Sequence, residues 1–241
     1  MSKLRVDKVY KQYNRRFVVN GISLEIEKGE VVGFLGPNGS GKTTTFYMIV
    51  GIVSPDGGNI FFDNKNITTW PIYKRAQLGI GYLPQEHSVF RSLSVEDNVK
   101  AVLELKGISG KELRTKTEEV LEYMGLTKVR KNLAMSLSGG EKRRLEVARI
   151  IALEPSFLLL DEPFTGIDPI AINDIQTIIR RLKEDKGIGV LVTDHNVRET
   201  LKIVDRAYII HNGEILIEGD ANMLINDPKA REIYLGHSFE M

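Results

Sequence analysis

Apolar and polar residues alternate from Leu4 to Tyr10 and again from Ile22 to Ile26, the period of half-buried strands. The continuous apolar run Val31-Val32-Gly33-Phe34-Leu35 ends in a glycine-rich stretch and predicts a buried central strand, followed by a helix from Thr43 to Val50. Asn59 to Phe62 and Ile80 to Leu83 predict further strands, the second stopped by Pro84. From Val95 to Leu153 the period changes. Apolar residues there recur at helical spacing (Val95, Val99, Val102, Leu103; Leu113, Val120, Leu121, Met124), so a helical insert interrupts an α/β core. The core resumes with Phe157-Leu158-Leu159-Leu160, a helix from about Ile170 to Lys186, and the strand Gly189-Val190-Leu191-Val192. Asn212-Gly213, between Tyr208-Ile209-Ile210 and Ile215-Leu216-Ile217, predicts a hairpin. With no repeat or long linker, the pattern predicts a single domain over 1–241. Its α/β core covers about 1–85 and 156–225, its helical subdomain about 86–155, and a short C-terminal helix about 226–241.

Composition narrows the function classes. Lys and Arg (33) nearly balance Asp and Glu (32), against the basic excess of a protein that tracks a nucleic-acid backbone. Cysteine is absent, which excludes disulfides and thiolate metal sites and fits a reducing compartment. The start of the chain carries charges where a signal peptide needs an apolar run. No stretch reaches the roughly 20 apolar residues that cross a bilayer. The expectation is a cytoplasmic chain, with any membrane role exercised through partners.

Gly36-Pro37-Asn38-Gly39-Ser40-Gly41-Lys42-Thr43 follows a predicted strand and precedes a predicted helix, the setting of a phosphate-binding loop. Its glycines let backbone N–H groups curl around a phosphate, and the helix start adds partial positive charge. Lys42 can reach the β- and γ-phosphates and the Thr43 hydroxyl can ligate Mg²⁺. Asp161-Glu162 ends an apolar strand, where α/β sheets bind ligands. Asp161 would hold Mg²⁺, and Glu162 would orient or deprotonate an attacking water; the alternative for the pair alone is an acidic helix N-cap. Ser138-Gly139-Gly140 alone would read as a common loop and N-cap.

Together these segments resemble the ATP-binding cassette family along nearly the whole chain and in the family's order. Gly36 to Thr43 is similar to Walker A, Gln85 to the Q-loop glutamine, Leu137-Ser138-Gly139-Gly140-Glu141 to the signature motif, and Phe157 to Glu162 to Walker B. Gly166-Ile167-Asp168 resembles the D-loop, His195 the switch histidine, and Tyr13 the aromatic that stacks on adenine. The resemblance implies a P-loop NTPase (RecA-like) core with an antiparallel β subdomain and an inserted α-helical subdomain. It implies a head-to-tail homodimer enclosing two ATP, with Mg²⁺ at Thr43, Gln85 and Asp161. Lys42, Glu162 and His195 would be catalytic in one chain, with Thr44 beside the phosphates. Ser138, Gly139 and Gly140 of the other chain would meet the γ-phosphate.

Within the family, Asp194 to Leu201, Gly81 to Glu86, Asp161 to Phe164 and Tyr234-Leu235-Gly236 look like the lipopolysaccharide-export branch, as does Glu141 before Lys142-Arg143-Arg144. That branch implies a peripheral location on the inner membrane beneath two integral-membrane permease subunits. The branched-chain amino-acid importers share the Tyr-Leu-Gly ending; Phe164 and Asp168-Pro169 stand against them. Phe90, Arg91 and Leu93 are candidate partner contacts, with packing into the insert as the alternative for Phe90. His87, His211 and His237 are expected at the surface or in loops, Trp70 packed at a turn, and Lys142-Arg143-Arg144 on a solvated helix face.

Overall fold

The computed structural model describes residues 2–236, so His237 and the end of the expected C-terminal helix lie outside the described residues. In chain order the strands are β1 (Lys3–Tyr13), β2 (Arg16–Glu27), β3 (Val31–Leu35), β4 (Gly57–Phe62), β5 (Lys65–Asn66), β6 (Ile80–Leu83), β7 (Phe157–Asp161), β8 (Gly189–Thr193), β9 (Arg206–His211) and β10 (Glu214–Gly219). The helices are α1 (Lys42–Val50), α2 (Ile72–Leu78), α3 (Val95–Leu105), α4 (Gly110–Tyr123), α5 (Gly139–Ile151), α6 (Pro169–Lys186), α7 (Val197–Leu201) and α8 (Ala221–Asn226).

Two sheets result. One is antiparallel with strand order β2-β1-β4-β5, and the other has order β10-β9-β3-β8-β7-β6 with β9, β3, β8, β7 and β6 parallel. Asn14 and Arg15, at φ of 47° and 64°, make the tight turn between β1 and β2. Register shifts after Val6, Val9 and Lys11 carry the pairing beyond the alternating stretch, so both strands are longer than their sequence pattern.

The central strands are buried on both faces, and their period of two separates two cores. Val32, Phe34, Phe157, Leu159 and Leu191 face the antiparallel sheet and α1. Val31, Leu158, Leu160, Val190 and Val192 face the helices α3, α5 and α6. The insert α3–α5 leaves the sheet after β6 and returns to it at β7, the strands that carry Gln85 and Asp161 at or just past their ends. Of the C-terminal helix expected over about 226–241, the described residues contain the end of α8, a helical turn at Pro228–Ala230 and a π-helical turn at Arg231–Leu235. Pro228 restarts the chain because it lacks the N–H that would continue α8.

Candidate active site

The loop between β3 and α1 wraps so tightly that two of its glycines have no substitute. A Cβ on Gly36 would lie 2.3 Å from the carbonyl of Ile210, and one on Gly41, at φ 106°, would lie 2.5 Å from the carbonyl of Val18. Lys42 opens α1, is almost buried, and turns back on its own loop, where its ammonium donates to the carbonyls of Gly36 (2.7 Å) and Pro37 (2.9 Å). Burial pulls its pKa down, and the carboxylates of Glu162 and Asp161 oppose that shift.

Asp161 ends β7 and Glu162 follows it, both nearly inaccessible. Asp161 Oδ2 accepts from the Tyr82 hydroxyl at 3.3 Å, whereas Oδ1 is buried with no partner. Burial and then the neighbouring Glu162 push the Asp161 carboxyl up to about 6. Glu162 has a φ of 50°, a left-handed conformation that costs a non-glycine residue about 1–2 kcal/mol and recurs at functional sites. Its carboxylate is held between two side chains. Gln85 Nε2 donates to Oε2 at 2.7 Å, and His195 Nε2 lies 2.6 Å from Oε1. The Thr165 hydroxyl also donates to Oε2, at 3.3 Å.

Val18, Asn38, Gly39, Gly41, Lys42, Thr43, Thr44, Gln85, Glu162 and His195 line one cleft of about 340 Å³. Of the other expected site residues, Gly36, Pro37, Ser40 and Asp161 are outside that lining but adjoin it in the chain, whereas Tyr13, Ser138, Gly139 and Gly140 are outside it on other segments. Tyr13 ends β1 half-exposed, with the Lys11 ammonium 5.6 Å from its ring. Ser138 caps α5 in a closed box: its Oγ accepts from the Glu141 N–H at 3.3 Å, and its own N–H and hydroxyl both donate to Glu141 Oε2 at 2.9 Å.

The expected solvated face of α5 is overturned at Arg143. Arg143 is not on a solvated face but 2% exposed. Its guanidinium donates to the carbonyls of Pro84 (2.9 Å), Asp161 (3.1 Å) and Glu162 (3.3 Å) and pairs with buried Glu146 at 3.1 Å. Position in the helix explains this, because Gly140, Arg143, Val147 and Ile151 form one buried stripe of α5. Glu146 in turn accepts from the Ser88 N–H at 2.7 Å and lies 3.0 Å from His87 Nδ1, so the signature helix grips the segment after Gln85 as well as the end of β7. Asp194 was also missed. It is buried, and its carboxylate accepts from the N–H groups of Phe164 (2.8 Å) and Asn196 (2.9 Å), clamping the segments on either side of the Glu162–His195 pair. Burial pushes its pKa up against those two bonds.

His87 is exposed, and His211 ends β9 half-buried rather than in a loop. Trp70 packs beside the inter-sheet core as expected, with Lys65 4.3 Å above its ring. Phe90 is 44% exposed, its backbone pinned by Asn98 and its ring stacked under Arg149 at 4.2 Å. No helix among the described residues is long and apolar enough to cross a membrane.

The family model described as ABC transporter matches residues 19–165. The lipopolysaccharide export system ATP-binding protein LptB of Acidithiobacillus ferridurans is 52% identical over 238 residues, 99% of this chain and 98% of that protein. Its counterpart in Haemophilus influenzae is 49% identical over 242 residues and 100% of both chains. Among solved structures, the ADP conformation of an ATP-binding cassette of an ABC transporter superposes with a TM-score of 0.87 at 29% identity, covering 98% of this chain and 100% of that one. A dimeric post-hydrolysis cassette bound to ADP and Pi gives 0.80 at 26% identity, covering 90% and 98%. The motifs converging on the cleft, the fold and the relatives agree: the chain belongs to the ABC transporter family, as one of its ATP-hydrolysing cassettes.

Proposed function

We propose that the chain works as a homodimer closing around two ATP, and that it powers lipopolysaccharide export from the inner membrane through two separate permease subunits. The observation that carries the paired reading is the division of the motifs. Lys42, Gln85, Glu162 and His195 line a single cleft, and Ser138, Gly139 and Gly140 do not. A second chain turned head to tail brings its α5 start to the open side of that cleft. The partial positive charge of two helix starts then faces one triphosphate. Cargo is supported by the near-full-length identity to the LptB proteins.

The residues present fit a nucleotide with its metal. The tight bends at Gly36 and Gly41, which exclude a Cβ, would let backbone N–H groups approach a phosphate, and phosphate oxygens would replace the two carbonyls that hold Lys42. The unpartnered Oδ1 of Asp161, the Thr43 hydroxyl and the Gln85 amide would hold Mg²⁺, which would supply positive charge against the phosphate oxygens. Tyr13, exposed at the end of β1, is available to stack on adenine. Glu162 orients or deprotonates the attacking water, and His195 fixes the direction of its carboxylate. Gln85 must release Glu162 when it turns to the nucleotide, which links nucleotide binding to the insert beyond it. Between core and insert, an apolar cleft of about 240 Å³ lined by Val50, Ile72, Ala76, Tyr82, Ile150 and Leu153 suits a permease segment, with Phe90, Arg91 and Leu93 as further contacts.

Two measurements test this reading. Glu162→Gln is expected to retain ATP binding and lose turnover by about a hundredfold or more; steady-state phosphate release near wild type would remove Glu162 from the role. Purification from native membranes is expected to bring down two lipopolysaccharide-export permeases, whereas importer permeases would redirect the cargo to branched-chain amino acids.

A further inference from the structure

The bulkiest fully buried side chain among the described residues is a cation that the chemistry above does not use. Arg75, on α2, is 1% exposed and forms no ion pair among the described residues. Its guanidinium is satisfied by carbonyls alone. Nε donates to Trp70 at 2.8 Å, Nη2 to Thr68 at 2.8 Å, and Nη1 to both Met48 and Ile49 at 2.7 Å. Met48 and Ile49 lie in the last turn of α1, where the helix dipole favours a cation. Gly51, at φ 86°, leaves the passage free: a Cβ there would stand 2.8 Å from Arg75 Nε. Burial lowers the guanidinium to about 10, so it stays charged at neutral pH.

The placement of α2 gives this grip a consequence. Its outer residues Ile72 and Tyr73 are 44% and 58% exposed, and Ile72 and Ala76 form one wall of the 240 Å³ apolar cleft. Its inner face holds the C-terminal end of α1, whose N-terminal end, about 13 Å away, is Lys42 and Thr43. We propose that Arg75 is the positioning residue through which a membrane subunit seated in this cleft moves the phosphate loop. The proposal rests on the reading above that a membrane subunit docks between core and insert. The planar fork holds two successive carbonyls of α1 and two of the 68–70 segment at once, so α2 cannot shift without carrying the end of α1 with it. A lysine keeps the charge and loses the fork.

The test compares Arg75→Lys with wild type in the complex with the membrane subunits that co-purify with the chain, and in the free subunit. The expected result is retained co-purification with stimulation of ATP turnover lowered about tenfold, while KM and turnover of the free subunit change less than about twofold. Undiminished stimulation in a folded variant overturns the proposal. So does a parallel fall of free and stimulated rates, the mark of a purely structural residue. If wild-type chain binds no membrane subunit, the docking reading fails and the relay with it; binding retained without stimulation isolates the relay. Should Arg75→Lys not fold, hydrogen exchange on the wild-type chain decides. Docking without nucleotide is expected to slow exchange at residues 42–45, and unchanged exchange there overturns the relay.

Discussion

Glu141 places a carboxylate at the helix start proposed to meet a triphosphate, and it occupies both donors of Ser138. Those donors must leave Glu141 before they can serve the γ-phosphate, and the carboxylate repels that phosphate once it arrives. Glu141→Gln keeps the capping box through its amide oxygen and removes the charge. The expected outcome is a KM for ATP lowered by roughly two- to fivefold, since such charges contribute about 0.3–1 kcal/mol at a helix terminus; an unchanged or raised KM in an ATPase titration eliminates the competition. Arg143 carries a different risk. Arg143→Met leaves Glu146 buried without its cation and frees the ends of β6 and β7, so a loss of about 3 kcal/mol or more is expected in denaturant unfolding. A loss under about 1 kcal/mol would mean that Glu146 is served by His87 and Ser88 alone. The contrast explains what was legible at this scale. Phosphate chemistry fixes the spacing of Gly36, Gly41 and Lys42, so sequence alone finds them. Arg143 looks like any charge in a basic run until the stripe it shares with Gly140 and Val147 meets the end of β7.

The helical insert is tied together by a carboxylate rather than by its apolar stripes alone. Glu96 on α3 is nearly buried and pairs with Lys100, with Arg130 at 2.9 Å and with Lys131 at 3.0 Å. Hydrogen bonds from Lys100 and then Arg130 hold its carboxyl down to about 2. The folded value lies below the unfolded one, so the stabilisation is complete above about 4.5 and disappears as pH falls toward 2. Glu96→Gln is therefore expected to be less stable than wild type at pH 7 and to approach it near pH 2, as read by chemical unfolding at each pH; a difference independent of pH would assign the loss to packing. The insert itself was visible as a change of period, because Val95, Val99, Val102 and Leu103 all face its core. Helix α2 was not, and its pattern shows why. It turns Arg75 inward and Ile72 and Tyr73 outward, the reverse of the polarity on which periodicity depends. The alternation in β1 likewise breaks between Val6 and Val9, where a bulge at Lys8 shifts the register.

Across the whole molecule, the parallel sheet brings the ends of β3, β6, β7 and β8 to one edge, and that edge supplies only half of the proposed ATP site. A head-to-tail pair related by a two-fold axis supplies the other half twice over, so each site combines Glu162 of one chain with Ser138 of its partner. Heterodimers carrying two different tags separate this arrangement from a site built within one chain. Ser138→Tyr in one subunit and Glu162→Gln in the other gives two inactive homodimers. In the heterodimer, the Ser138→Tyr chain still has Glu162 and faces an intact Ser138 across the interface. One site is then whole, and turnover of roughly half the wild-type rate is expected if the sites fire independently. With both substitutions in the same subunit, each site of the heterodimer contains one lesion, and turnover is expected to vanish. A site completed within one chain reverses both results: the separated pair would be dead and the doubly substituted pair half active. Phosphate release from the two purified heterodimers thus decides whether Leu137 to Glu141 serves its own nucleotide or its partner's.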